Sequence, residues 1–443
     1  MRTDSISKLG LTRRDFVKLL SIQAAGILVG CAVNPVSGRR QLSFISEMQE
    51  IDLDRKNAPF QFSADYGSIQ DKRINNYVNS VGHKIAALSH RPEMPYSFNA
   101  VNANYLNAYA FPGGSIATTR GMLVSLSNES ELAAVLGHEI GHVNARHTAS
   151  RMTKGVVIGA VITGLLVYLG TENKKYVPIA SGLGGIGSGI LLAHYSRDDE
   201  RQADELGMEY MSKAGYDPVG MTCMMDVLRG SSVEKRNIIE LLFATHPMSE
   251  ERYETTSKLA KTKYKNINQG KFYKERYLDN TSSLRKIKKA IGYMQDGEML
   301  IVKKNFLKAE EYFNSALKIA PDDYAGLLLM SKCKLAQEKF DEADSYAKAA
   351  QEVYPSEAQA HYISGVVNLK RENFEHAFGE FDAYDKILPE NPNIIFFKGY
   401  SLEKMQNIDE AAAYYSKYIK TVNNGEQAEY ARKRLNEWNR IKK

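Results

Sequence analysis

At 443 residues, with 43% hydrophobic and 25% charged side chains, the chain is long enough for two or three folded domains and too apolar to be disordered over most of its length. Of the formal net charge of +6, residues 1–30 supply five basic side chains (Arg2, Lys8, Arg13, Arg14, Lys18) against two acids (Asp4, Asp15). Without that segment about 6 − 3 = +3 remains, so the basic balance is no argument for a nucleic-acid partner, and none is expected.

Residues 1–30 read as a targeting signal: a charged start, an apolar run from Leu19 to Val29, and the stretch LVGC ending in Cys31. An aliphatic residue three before a cysteine, with glycine just before it, resembles the bacterial lipoprotein cleavage box, so Cys31 is expected as the lipidated N-terminus of the mature protein. The alternative is an uncleaved N-terminal anchor with a chance cysteine. The stretch TRRDFVK, Thr12 to Lys18, resembles a twin-arginine export signal, and a general secretory signal with two arginines stays open beside it. Either route leads to the periplasm. Ala32 after the cysteine is not the aspartate that retains lipoproteins at the inner membrane in enteric bacteria, which favours the outer membrane. The two remaining cysteines, Cys223 and Cys333, are expected as buried free thiols in separate domains.

Residues Asn107 to Leu123 alternate and turn at Pro112-Gly113-Gly114, which predicts a hairpin. Its second strand, Ser115, Ile116, Ala117, Thr118 and Thr119, is expected at the sheet edge, facing the helix that follows. Such an edge can capture an unfolded chain as an added strand through backbone hydrogen bonds. An ordinary hairpin in a small sheet is the alternative.

The next helix carries the densest chemistry. In SNESELAAVLGHEIGHVNARH, Asn128 is a good N-cap with Glu131 three residues later, and Leu132, Val135, Leu136 and Ile140 keep a helical rhythm. His138 and His142, four apart, share one face and can point imidazole nitrogens at one metal ion. Glu139 falls beside the metal position, where its carboxylate can take a proton from water and pass it to a leaving amine. A catalytic zinc site needs a third protein ligand, and YSRDDERQADELG supplies one: Glu200 as ligand, with Asp204 one turn on to accept the second N–H of a ligating histidine. A solvated acidic face is the bland alternative for this helix; paired with HEIGH, the metal reading prevails.

Between the two motifs lie the apolar runs Val156 to Leu169 and Val177 to Tyr195. The first is too short for a hydrocarbon core that needs about 20 helical residues, and the second is diluted by glycines. Packed helices with a Gly-rich loop over the active site or against the membrane are expected, with a re-entrant hairpin still open; His194 is a weak extra ligand candidate, and a satisfied core histidine is the favoured reading of it. Further on, His246 stands on an expected loop before Pro247. Three roles are open for it: a resting-state ligand in the open metal position, a hydrogen-bond donor to the oxyanion, or a structural loop histidine. The Lys-rich stretch Lys258 to Lys289 reads as a helical connector with a solvated face.

The last third repeats. Phe306, Phe340, Phe374 and Ile408 fall 34 apart, as do Ala309, Ala343, Ala377 and Ala411, and Pro321, Pro355 and Pro389. This is the tetratricopeptide period, four two-helix units from about Ala290 to Asn424, closed by a polar helix holding Trp438. A partner-binding concave face is expected, with a pure spacer as the alternative.

Together HEIGH, ERQAD, NAYAFPGGSIATTRGML and ATHPMSEER resemble metallopeptidase family 48, the gluzincins. The resemblance spans roughly residues 34 to 265. The whole arrangement is similar to the family's periplasmic branch with C-terminal tetratricopeptide repeats, matched there only as architecture. It implies one zinc ion per chain on His138, His142 and Glu200, Arg252 six after His246 as part of the pattern, and His147 beside the ligands. It also implies an enzyme acting on unfolded or misassembled envelope proteins, outer-membrane proteins stalled in assembly among them, with some relatives crossing the membrane. The expected architecture is α+β and mostly α: signal 1–30; a peptidase domain with a small antiparallel sheet over 31–270; a connector over 271–289; and an all-α superhelix over 290–443. The expected function is a zinc endopeptidase anchored by lipid in the periplasm. The competing class is a chaperone or assembly scaffold that works through its repeats and keeps the protease latent.

Overall fold

The computed structural model describes residues 31–36, 38, 40–42, 45–153, 195–230, 246–247, 249–422 and 425–441. The expected signal peptide and the apolar stretch 156–194 lie outside them. Cys31 opens a short strand β1 (Cys31–Val33), paired antiparallel with β2 (Arg40–Leu42). No helix among the described residues is long and apolar enough to cross a membrane. Cys223 and Cys333 are free thiols, the second buried and the first only half-buried.

Helices α1 (Glu47–Ala64) and α2 (Lys72–Ala86) precede a three-stranded sheet of β3 (Ser97–Val101), β4 (Ala108–Ala110) and β5 (Ser115–Thr119), in the order β3-β5-β4. Two expectations are corrected here. The sheet is mixed, because β3 runs parallel to β5 while β4 runs antiparallel to it, and Ser115–Thr119 is the central strand instead of the edge. The hairpin signal shows only the β4–β5 pairing; a parallel partner needs a long connection, and the strand SFNAV carries no turn chemistry tying it to β5. The edge toward His138 and Glu139 belongs to β4. Asn107 O accepts from Thr119 N and Phe111 N donates to Ser115 O, so by alternation the backbone groups of Ala108 and Ala110 point away from β5.

After α3 (Arg120–Ser125) comes α4 (Glu129–Asn144), the central helix of the domain. Asn128 caps it by accepting from Glu131 N, and the Glu131 carboxylate accepts from Ser127 N. Every residue of α4 is buried, its two histidines included, because elements pack on all its sides. The short α5 (His147–Thr153) follows it, and α6 (Arg197–Lys213), opened by a Ser196–Asp199 capping box, lies along it. This crossing is at backbone contact: a Cβ on Gly141 would stand 2.9 Å from Ala203 O, and one on Gly207 2.9 Å from His138 N. Only glycines at those points let the two motif helices come this close.

Helices α7 (Val219–Gly230), α8 (Glu250–Lys261), α9 (Lys274–Asn280) and α10 (Ser282–Lys286) complete the domain. The stretch 271–289 is helical through α9 and α10 and is solvated at Lys274, Glu275 and Lys286, while its other face packs into the domain. Tyr277 is wholly buried and donates to Leu123 O, Phe272 O accepts from Ser130 N, and Arg276 pairs with Glu129 at the start of α4. The Lys/Arg-rich composition hides an apolar stripe of Tyr273, Tyr277, Leu284 and Ile287, with guanidinium groups of Arg276 and Arg285 lying over the tyrosine faces. Ile287 packs against both this core and the next, so the cores are continuous.

Four antiparallel pairs follow: α11 (Lys288–Val302) with α12 (Phe306–Ile319), α13 (Tyr324–Ala336) with α14 (Phe340–Val353), α15 (Gln359–Lys370) with α16 (Phe374–Ile387), and α17 (Pro392–Lys404) with α18 (Ile408–Thr421). The capping helix is α19 (Glu426–Ile441), with Trp438 stacked on Tyr415. Ala309, Ala343, Ala377 and Ala411 are fully buried where the helices of each pair touch, the close approach their small side chains allow. Each first helix ends on a left-handed residue, Lys304, Glu338, Glu372 and Gln406, a 34-residue regularity with no glycine to announce it.

Candidate metal centre

α4 supplies His138 and His142, α6 supplies Glu200 and Asp204, and the segment leading into α8 supplies His246. All five are buried. His138 Nε2 stands 3.1 Å from His142 Nε2 and 3.4 Å from His246 Nδ1, while Glu200 Oε1 stands 3.3 Å from His142 Nε2 and 3.0 Å from His246 Nδ1. Ligands about 2.0–2.1 Å from a zinc ion at tetrahedral angles stand about 3.3 Å from one another, so the donor set and its spacing fit a zinc ion. Four groups therefore converge on one point, His246 among them.

The far nitrogens of the two motif histidines both face a polar neighbour. His138 Nδ1 stands 2.9 Å from Asp204 Oδ1, and His142 Nδ1 stands 2.9 Å from His147 Nδ1, whose Nε2 is 3.0 Å from Gln202 Oε1. With Nδ1 carrying the proton in each, both Nε2 lone pairs face the common point. Sequence reasoning names Asp204 for this task; the geometry adds His147, which only the family resemblance recommends.

Arg252, on the first turn of α8, binds Asp204 through Nε and Nη2, each at 2.8 Å, and its Nη1 stands 2.6 Å from Glu200 Oε2. Burial opposes charge on Glu200, but His246, His138 and His142 hold its carboxyl well below the usual range. For Asp204, burial is outweighed by Arg252 and His138, and its pKa is lowered. Burial also works against charge on His138, yet Asp204 and Glu200 push its pKa up. Arg252 thus binds both acidic groups of the α6 motif, a function that sequence spacing alone does not signal.

Glu139 points into the same space with its Oε2 unpaired among the described residues and Oε1 3.7 Å from His246 Nε2. Burial raises its carboxyl above the usual range, against the pull of His246 and His138, which strengthens it as a base. The cavity beside it, about 30 Å³, is bounded by Ala108 of the β4 edge, Met122 of α3, Val135 and Leu228. That is room for little more than water. Tyr195 closes another side, its ring 3.8 Å from that of His142 and 5.2 Å from that of His246. His194 lies outside the described residues.

Paired histidines and a glutamate from a second helix, with a further glutamate aimed beside them, define a metallopeptidase-type centre. The comparisons agree: residues 72–260 match peptidase family M48, and residues 330–392 and 392–421 match tetratricopeptide repeats. The chain thus carries an M48 peptidase domain followed by C-terminal tetratricopeptide repeats. It is 31% identical over 193 residues to a putative beta-barrel assembly-enhancing protease of Vibrio cholerae, covering 42% of this chain and 38% of that one. It is 27% identical over 190 residues to the beta-barrel assembly-enhancing protease of Escherichia coli K12, with the same shares, and 27% identical over 201 residues to metalloprotease YcaL of that organism, 45% of this chain and 72% of that one. The chain therefore spans about two fifths of the length of the two assembly-enhancing relatives.

Proposed function

We propose that this protein is a zinc-dependent endopeptidase of the bacterial cell envelope, lipid-anchored through Cys31 at the outer membrane, that cleaves misfolded or misassembled outer-membrane proteins. The observation that carries the chemistry is the tetrahedral spacing of His138, His142, Glu200 and His246 with the unpaired Glu139 carboxylate beside them. The names of the assembly-enhancing relatives support barrel proteins as clients.

Bound at His138, His142 and Glu200, one zinc ion would polarise the scissile carbonyl and make water more acidic. Glu139 takes the proton of the attacking water on its carboxylate and delivers it to the leaving amide nitrogen. Asp204 and His147 keep the ligating histidines in the required tautomers, and Arg252 keeps Glu200 in place. The substrate adds as a strand to the outward backbone groups of Ala108 and Ala110, so recognition reads extended backbone and tolerates many sequences.

His246 serves as the latch. Its Nδ1 holds the fourth corner that water and the substrate carbonyl need, and the small cavity fits a closed resting state. Withdrawal of the His246 side chain would open that corner. The same closure supports a second reading, an assembly scaffold whose protease stays latent while the repeats bind partners.

The test is zinc content and casein cleavage by the protein from Ala32 onward, beside Glu139→Gln and His246→Ala. One zinc per chain, cleavage abolished in Glu139→Gln and raised in His246→Ala is the expected result. No bound zinc ends the proposal. Lost activity in His246→Ala moves that residue to the oxyanion role, and full biological function in Glu139→Gln favours the scaffold.

A further inference from the structure

The repeat array grips the active-site hairpin at its base. Arg120, the first residue of α3 directly after β5, is buried to 2% exposure. Its Nη1 and Nη2 donate to Asp323 Oδ2 and Oδ1 at 2.7 and 3.0 Å, and its Nε and Nη2 donate to Asn104 Oδ1 at 2.8 and 2.7 Å. Asp323 belongs to the repeats, where it is the N-cap of α13 and accepts from Gly326 N. Asn104 belongs to the peptidase domain, four residues before β4, and its own carbonyl accepts from Gln295 of α11. One guanidinium therefore joins a repeat helix to both roots of the hairpin.

That hairpin matters to the cleft on two counts. Ala108 of β4 and Met122 of α3 line the cavity at Glu139, and Thr119 Oγ1, which caps α3 by accepting from Met122 N, donates to the carbonyl of Tyr105 ahead of β4. Arg120 thus stands in the chain between Thr119, which ties the two ends of the hairpin, and Met122 of the cleft wall. The planar, bidentate fork of arginine has no substitute of equal geometry.

We propose that Arg120 is a positioning residue that, seated on Asp323, sets the β4 edge against the catalytic helix, so that the repeat array forms part of the substrate-binding apparatus and is more than a partner-binding appendage. This rests on the reading that β4 receives the substrate strand.

The decisive variant is Asp323→Asn in the full chain. Asparagine caps a helix as well as aspartate, so α13 keeps its N-cap while the charged contact to Arg120 is lost. Arg120→Lys serves as a second variant that keeps the charge and loses the fork. Both are measured for KM and kcat on an unfolded casein fragment, for zinc content, and for hydrogen exchange of the β4 and α4 amides. The expected result is KM raised about tenfold with kcat and zinc content held, and faster exchange at residues 108–110 with α4 unchanged. Equal losses of kcat and zinc, or unchanged β4 exchange in both variants, would overturn it. Should the parent protein cleave nothing, the peptidase reading fails by itself, and β4 exchange still decides the coupling.

Discussion

Gly141→Ala tests whether backbone contact between the motif helices builds the metal centre. The added methyl would stand 2.9 Å from Ala203 O, 3.0 Å from Ala203 Cα and 3.3 Å from Leu206 Cβ, where ordinary contact begins at 3.4 Å. Two of these three atoms are backbone, so α6 must retreat by about 0.5 Å as a body. Glu200 lies one turn away on that helix, and metal–ligand distances tolerate only about 0.2 Å. Alanine gains about 1 kcal/mol of helix propensity over glycine, against about 1–3 kcal/mol for overpacking. The metal-free protein should therefore lose no more than about 2 kcal/mol while zinc affinity falls at least about tenfold, a further 1.4 kcal/mol. Zinc competition against a fluorescent chelator and thermal melts in EDTA separate the two effects. If Gly141→Ala binds zinc as tightly as the parent, the close crossing is not what places Glu200, and the reasoning is refuted.

Two further outcomes follow from buried charge. Arg252→Met removes a buried cation from beside Glu200 and Asp204, which should cost the metal-free protein about 3–5 kcal/mol; bound zinc adds positive charge there, so melts with zinc should fall by less than melts in EDTA, and equal losses would sink the account. At the domain junction, burial pushes Glu298 up to about 7 from 4.5, and it lowers Lys332 to about 8 from 10.5. Between pH 4.5 and 7 the folded chain holds a proton on Glu298 that the unfolded chain lacks, so stability falls as pH rises; between 8 and 10.5 the unfolded chain holds the Lys332 proton, so stability climbs. Glu298→Gln should flatten the first limb and Lys332→Met the second in melting temperature against pH, and a Glu298→Gln profile identical to the parent's from pH 4.5 to 7 would contradict the assignment.

What the sequence discloses and what it conceals divide along one physical line, the distance over which a signal is written. His138, Glu139 and His142 share one helix, and Glu200 and Asp204 another, so helical spacing alone presents each group on a common face. The repeats are legible for the same reason: each is one supersecondary unit whose buried alanine returns after 34 residues. The strand order is not. A hairpin is written in a local turn, but the parallel partner β3 is recruited by packing against α2, and its choice moves the free edge from β5 to β4. The buried face of 271–289 is less legible because the guanidinium groups of Arg276 and Arg285 lie over tyrosine faces, so a charged composition covers an apolar stripe.

The clamp at Arg120 is hidden more deeply still. Arg120 and Asp323 are 203 positions apart, and neither residue type is out of place locally, one opening a short helix and the other capping a repeat. Asp323 would serve as an N-cap whether or not an arginine reached it. The local explanation is complete, and that completeness is what conceals the second role. Buried side chains with a sufficient local reason and a second partner in another domain are thus where the structure adds most, and here they join the β4 hairpin to the repeats. If β4 receives the substrate strand as proposed, a client held by the repeats would bear on the same hairpin that receives its scissile strand.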